Sequence, residues 1–99
     1  MPGLRDYELV VILSPEIEEP NLDASIERVQ QSITARGGEI VDTNNWGRRR
    51  LAYPIGGFRD GIYLVTRFKM PPEEADALEH SLGLTESVIR HLVVRPDGA

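Results

Sequence analysis

The side chains best suited to chemistry in this chain are three consecutive guanidiniums, Arg48, Arg49 and Arg50. They stand within residues 46–55, Trp46-Gly47-Arg48-Arg49-Arg50-Leu51-Ala52-Tyr53-Pro54-Ile55, which also hold the only tryptophan. A guanidinium neither attacks nor shuttles protons at neutral pH. It is a fixed cation whose planar fork of donors matches a phosphate. The segment therefore reads as a binding surface, for phosphates above all. In an extended strand adjacent side chains point to opposite faces, so Arg49 faces away from Arg48 and Arg50. The same run would also suit a solvated edge strand, made basic to prevent sheets from pairing edge to edge.

Other reactive constellations are missing from the sequence. There is no cysteine, which excludes disulfides, thiolate metal sites and cysteine nucleophiles and fits a reducing compartment. The two histidines, His80 and His91, are too few for most metal sites. His80 falls on the polar side of an acidic helix, and His91 lies inside an apolar strand as a core or rim residue. Ser14, Ser25, Ser32, Ser81 and Ser87 have no nucleophile-elbow context. Gly56-Gly57 has no following lysine and makes no phosphate loop. Glu16, Glu18 and Glu19 form a solvated acidic loop rather than a spaced carboxylate pair. The expectation is a protein that is not an enzyme, with no catalytic residues, cofactor, metal or small-molecule substrate.

Ninety-nine residues suffice for a single domain, expected over residues 1–99 with a core at about 5–95 and a short tail at 96–99. The longest apolar stretch, residues 9–13, is far too short to span a membrane, and the first six residues carry no apolar signal core. No membrane partner and no targeting segment are expected. The net charge of −5 argues against a free-standing nucleic-acid binder, but the charge is unevenly placed. Residues 6–42 are strongly acidic. Residues 43–70 carry Arg48, Arg49, Arg50, Arg59, Arg67 and Lys69 against Asp60 alone. Residues 71–86 carry acids and no lysine or arginine.

The pattern of elements places these residues. A first strand at 5–13 puts Tyr7, Leu9, Val11 and Leu13 on one face and Glu8, Val10 and Ile12 on the other; both faces are largely apolar, as in a central strand. Asn21 is a suitable N-cap for a helix at about 22–36, whose apolar face is Leu22, Ile26, Val29 and Ile33. Gly37-Gly38 closes it. Residues 39–44 are extended and lead into the arginines. The proline and glycines of residues 54–61 predict a loop, because they cannot sustain a ladder. A third strand follows at 62–70, a second helix at about 73–82 with Ala75, Leu78 and Leu82 buried, and a last strand at 88–95.

This order predicts an α+β fold: ferredoxin-like βαββαβ, a four-stranded antiparallel sheet in order 4-1-3-2 with two helices on one face. The arginine strand is then an edge. The uncovered face takes Val10 and Ile12, then Tyr63, Val65, Arg67 and Lys69, and also Arg90, Leu92 and Val94 if no bulge shifts the register. Such an apolar, aromatic and basic face marks a partner. The fold hosts many functions. An acylphosphatase would need an arginine-bearing anion loop where this chain has Ser14-Pro15-Glu16-Ile17-Glu18-Glu19, and a metal chaperone would need Cys-x-x-Cys there. An RNA-recognition motif would carry two or three stacking rings on its third strand, where only Tyr63 stands.

The chain resembles the bacterial small-subunit ribosomal protein six family. The resemblance rests on Tyr7-Glu8, Leu13-Ser14-Pro15, Gly37-Gly38, Gly61-Ile62-Tyr63, Met70-Pro71, Val88-Ile89-Arg90 with Val93-Val94, and most specifically on Gly47-x-Arg49-Arg50-Leu51-Ala52-Tyr53-Pro54-Ile55. It runs from about Tyr7 to Arg95. It implies the fold above and a structural constituent of the cytoplasmic ribosome that binds the central domain of small-subunit rRNA together with small-subunit ribosomal protein eighteen. By that resemblance Arg5, Arg48, Arg49, Arg50 and Arg90 lie on the RNA and partner side, and Arg67 of the open face is grouped with them. Trp46, Tyr63, Val65 and Leu92 are assigned to the partner protein. An extra residue or so before the first strand, and the short tail after Arg95, depart from the family pattern. The alternative is a ferredoxin-like domain that uses its open sheet face to hold another protein or a small regulatory ligand.

Overall fold

A computed structural model describes residues 3–95; the tail expected at 96–99 lies outside them. The elements are β1 (Arg5–Leu13), α1 (Glu19–Thr34), β2 (Glu39–Ile55), β3 (Phe58–Met70), a 3-10 turn (Pro72–Glu74), α2 (Ala75–Gly83) and β4 (Val88–Val94). The strands form one sheet in order β2-β3-β1-β4, every pairing antiparallel. This is the ferredoxin-like arrangement expected from the sequence. Read from the other edge, it is the order 4-1-3-2.

Alternation builds the core. Tyr7, Leu9, Val11 and Leu13 of β1 and Ile62, Leu64, Phe68 and Met70 of β3 turn to the helices, where Val29 and Ile33 of α1 and Leu78 and Leu82 of α2 meet them. Burying each such side chain contributes roughly 1.5–3 kcal/mol. Tyr7 and Phe68 stack with ring centroids 5.6 Å apart. Thr66 stands among these residues fully buried, and its hydroxyl has no hydrogen-bond partner.

Both helix starts differ from those the sequence predicts. Helix α1 begins at Glu19, with Glu18 and not Asn21 as its N-cap. Pro20 sits in the first turn, where its missing N–H costs no intrahelical bond. Gly37 then takes φ +80°, and Gly38 passes so close to α1 that a Cβ would lie 2.8 Å from the Ile33 carbonyl oxygen. The expected helix at 73–82 opens as the 3-10 turn and becomes α-helical at Ala75.

The largest correction is the hairpin. Residues 54–61 are not a loop. Strands β2 and β3 run on to a two-residue turn, Gly56-Gly57, with φ +55° and +85°. Consecutive positive φ values give the turn whose twist suits a hairpin, and glycine supplies them without strain. The hairpin extends past the end of β1, so the molecule measures 43 × 27 × 22 Å. Pro54 is tolerated because β2 is an edge strand and the ladder is interrupted there. Between the pairs Arg50↔Asp60 and Ile55↔Phe58 lie Leu51, Ala52, Tyr53 and Pro54 on β2, but only Arg59 on β3. Such an unequal count is a bulge of the larger, special kind, which bends the strand that carries the extra residues. Residues 51–54 form an arch.

Candidate nucleic-acid and partner interface

Cross-strand partners share a face, so the register assigns every candidate residue. Ile62 faces the helices, and its partner Arg48 does likewise; Arg50 pairs with Asp60 on that side. Arg49 pairs with Gly61 and faces the open side. The expected division of the three arginines is therefore present. All three are exposed.

Each is positioned differently. Arg48 donates from Nη2 to the carbonyl oxygen of Pro15, 2.9 Å away, which ties β2 to the loop before α1. Arg49 lies over the Trp46 ring, with its guanidinium carbon 5.3 Å from the centroid. Trp46 is the extra residue of a bulge between Asn45↔Leu64 and Gly47↔Tyr63. There Asn45 Oδ1 accepts from the Gly47 N–H at 2.8 Å, and Gly47 takes φ +79°. The bulge presents the indole at 52% exposure, and the cation–π contact orders the arginine beside it. Arg50 lines a cavity of about 140 Å³ formed by the arch, together with Tyr53, Pro54 and Arg59. In the sequence Arg59 is only one base among several. The signal that singles it out is its place opposite the Tyr-Pro arch, which requires knowing that the hairpin continues.

The open face is not bare at this end. Gly61 is buried, and the arch folds back over it, with Leu51 only 6% exposed beside Ile12. Tyr53 reaches across β3 and β1 to β4. There Arg90 Nη1 donates to its hydroxyl at 2.6 Å, and the guanidinium stands 6.0 Å from its ring centroid. A cavity of about 190 Å³ lies beneath, between Ile12, Leu51, Tyr53, Tyr63 and Arg90. Register on β4 holds as expected where it matters. Arg90, Leu92 and Val94 pair with Ile12, Val10 and Glu8, and the irregularity lies outside them, between Ile12 and Leu13.

The candidates do not all come together. Arg48, Arg49, Arg50, Arg59 and Arg90 gather at the hairpin end of the sheet. None has a carboxylate within ion-pair distance among the described residues. Arg5 pairs with Met70 at the opposite end and on the helix side. Arg67 is on the open face but away from the cluster, with Nε 3.4 Å from Glu8 Oε2. Of the residues assigned to a partner protein, Trp46 and Leu92 are more than half exposed and Tyr63 is half-buried. Val65 is only 7% exposed, closed in between Val10 and Asn44. It supports the face from within and presents little surface to a partner. His91 faces the core beside Val11, with its Nδ1 buried and unpaired. Among the described residues no group of carboxylates and histidines could hold a metal ion, and no helix is long and apolar enough to cross a membrane.

Known proteins share both the sequence pattern and this geometry. The family described as Ribosomal protein S6 matches residues 6–95. A small ribosomal subunit protein bS6 from Carboxydothermus hydrogenoformans is 40% identical over 94 residues, which cover 95% of this chain and 98% of that one. The bS6 of Pseudarthrobacter chlorophenolicus is 43% identical over 94 residues, 95% and 93% of the two chains. Among solved structures, 30S ribosomal protein S6 from Thermotoga maritima superposes with a TM-score of 0.87 at 31% identity, over 93% of this chain and 87% of the other. The P2 domain of the chemotaxis kinase CheA from Thermotoga maritima, solved in complex with CheY, superposes at 0.60 with 18% identity, over 93% of this chain and 98% of the other; it shares the fold alone.

Proposed function

The chain belongs to the ribosomal protein S6 family of the small ribosomal subunit, and on that premise we propose that it binds the central domain of small-subunit rRNA jointly with small-subunit ribosomal protein eighteen. Its work is structural, in the cytoplasmic ribosome, and its relatives are named as subunit proteins rather than enzymes.

The observation that carries the RNA part is the cluster at the hairpin end: Arg48, Arg49, Arg50 and Arg59, exposed and without carboxylate partners among the described residues. Exposed arginines gathered without ion-pair partners form a site that phosphates fit. Guanidiniums on phosphates position a protein on RNA without reading its sequence. Arg5 and Arg67, at the far end, stand outside this cluster. The partner part is supported by the exposed Trp46 and Leu92 and the half-buried Tyr63, which adjoin the cations on the open face.

Joint binding follows from the charge. A net charge of −5 repels RNA at long range, and a handful of arginines offsets little of that alone. A basic partner on the open face would make the combined surface positive. Expressed in a bacterium, the protein should cosediment with small ribosomal subunits and be released as salt rises. A protein that remains at the top of the gradient at low salt would contradict the proposal.

A further inference from the structure

We propose that Arg90 acts as a positioning residue, pinning the arch through Tyr53, and is not itself a phosphate ligand. The proposal rests on the rRNA-binding reading of the hairpin end and assigns it a mechanical part. Residues 51–54 have no partners in register on β3, so the ladder does not set where the arch lies. Two contacts do. One is the burial of Leu51 over Gly61, next to Ile12. The other is the Arg90–Tyr53 pair, which closes across the whole sheet from the edge strand β4 to the edge strand β2.

The pair combines a hydrogen bond of 2.6 Å with a guanidinium 6.0 Å from the ring centroid. A planar guanidinium donates to the hydroxyl from a fixed fork, whereas an ammonium is a point charge without that fork. The arch is entered through Arg49 and Arg50 and faces Arg59. The arch closes one cavity with Arg50 and Arg59, so where it lies shapes the space in which those two guanidiniums would meet a phosphate. Releasing it would leave their charge in place but misalign it with a phosphate track.

This distinguishes two roles for Arg90 by salt dependence. A cation that neutralises a phosphate contributes about 0.7–0.9 to the slope of log affinity against log salt. A residue that only aims other cations changes affinity while leaving the slope near its original value. The experiment measures binding of central-domain rRNA, with ribosomal protein eighteen present, over a series of salt concentrations, for wild type, R90Q, Y53A and R90Q/Y53A. Tyr53 is 57% exposed, so the folded core survives its truncation. Both single variants should bind about fivefold more weakly, the scale of one hydrogen bond. The double variant should be no weaker than either, and R90K should restore only part of the affinity. Slopes should stay within error of wild type. An R90Q variant that loses about one unit of slope while Y53A keeps wild-type affinity would overturn the proposal.

Amide exchange of Ala52, Tyr53 and Ile55 in the free protein keeps the two readings apart. It should quicken in R90Q and in Y53A whether or not RNA binds. Unchanged exchange would overturn the latch on its own, and wild-type protein that never binds RNA would overturn the rRNA reading alone.

Discussion

Gly61 of β3 lies against Ile12 of β1 with no space for a side chain: a Cβ on Gly61 would overlap Ile12 Cγ2, with Leu51 Cδ2 and the Leu13 carbonyl oxygen each 3.5 Å away. The glycine is there for close approach, and it lets the arch sit down on the sheet. Gly61→Ala should destabilise the protein by roughly 1–3 kcal/mol, the usual scale of forcing a methyl into a packed site. Urea denaturation measures it. A neutral result would mean that β1 and β3 yield freely at this point.

Leu51 is the apolar half of the same arrangement. At 6% exposure it is as buried as core residues, though it sits in an edge strand otherwise mostly open to solvent. Leu51→Ala should cost about 2–3 kcal/mol, within the range for buried leucines. It should also quicken amide exchange at Ala52 and Tyr53. Denaturation together with exchange separates a local loosening from a global loss.

Thr66 offers the opposite sign. Its hydroxyl is buried without a hydrogen-bond partner, and that costs free energy which folding must offset. Thr66→Val removes the hydroxyl and keeps the shape. Stability should rise by about 1 kcal/mol, read from the midpoint of a urea curve. A fall would show that the hydroxyl has a partner in solution.

Much of this is legible in the sequence, and the exceptions have physical causes. Strand β1 is delimited to the residue, because Tyr7, Leu9, Val11 and Leu13 alternate cleanly and Pro15 follows. The face of α1 is plain from Leu22, Ile26, Val29 and Ile33, but its start is not, since Pro20 serves equally before a helix or in its first turn. A long hairpin is expected from the sequence, but the run of its strands through residues 54–61 escapes a reading by residue type, because Pro54 and Gly61 break most strands. Here one falls in a bulge of an edge strand and the other is needed for close packing. Arg90 stands out as a cation, yet its partner Tyr53 is 37 residues away, and no local spacing announces that contact. The cluster of Arg49, Arg50 and Arg59 likewise exists only once the hairpin is closed.

Arg50 and Arg59 line one cavity under the arch and should act together on RNA. The double change R50Q/R59Q should lower affinity and flatten the salt slope by about 1.4–1.8, the share of two neutralised phosphates. Arg67→Gln is the control. Its partner is Glu8, Arg67 itself is largely exposed, and it lies away from the cluster, so affinity should hold and stability should change by about 0.5 kcal/mol or less. Equal effects from the two variants would spread the interface over the whole open face.

The most direct measurement is a titration of central-domain rRNA with this protein, with and without ribosomal protein eighteen, at two salt concentrations. Joint binding predicts a complex that forms only when both proteins are present and weakens as salt is raised. Tight binding of this chain alone at physiological salt would contradict it, and so would no gain in affinity when the partner is added.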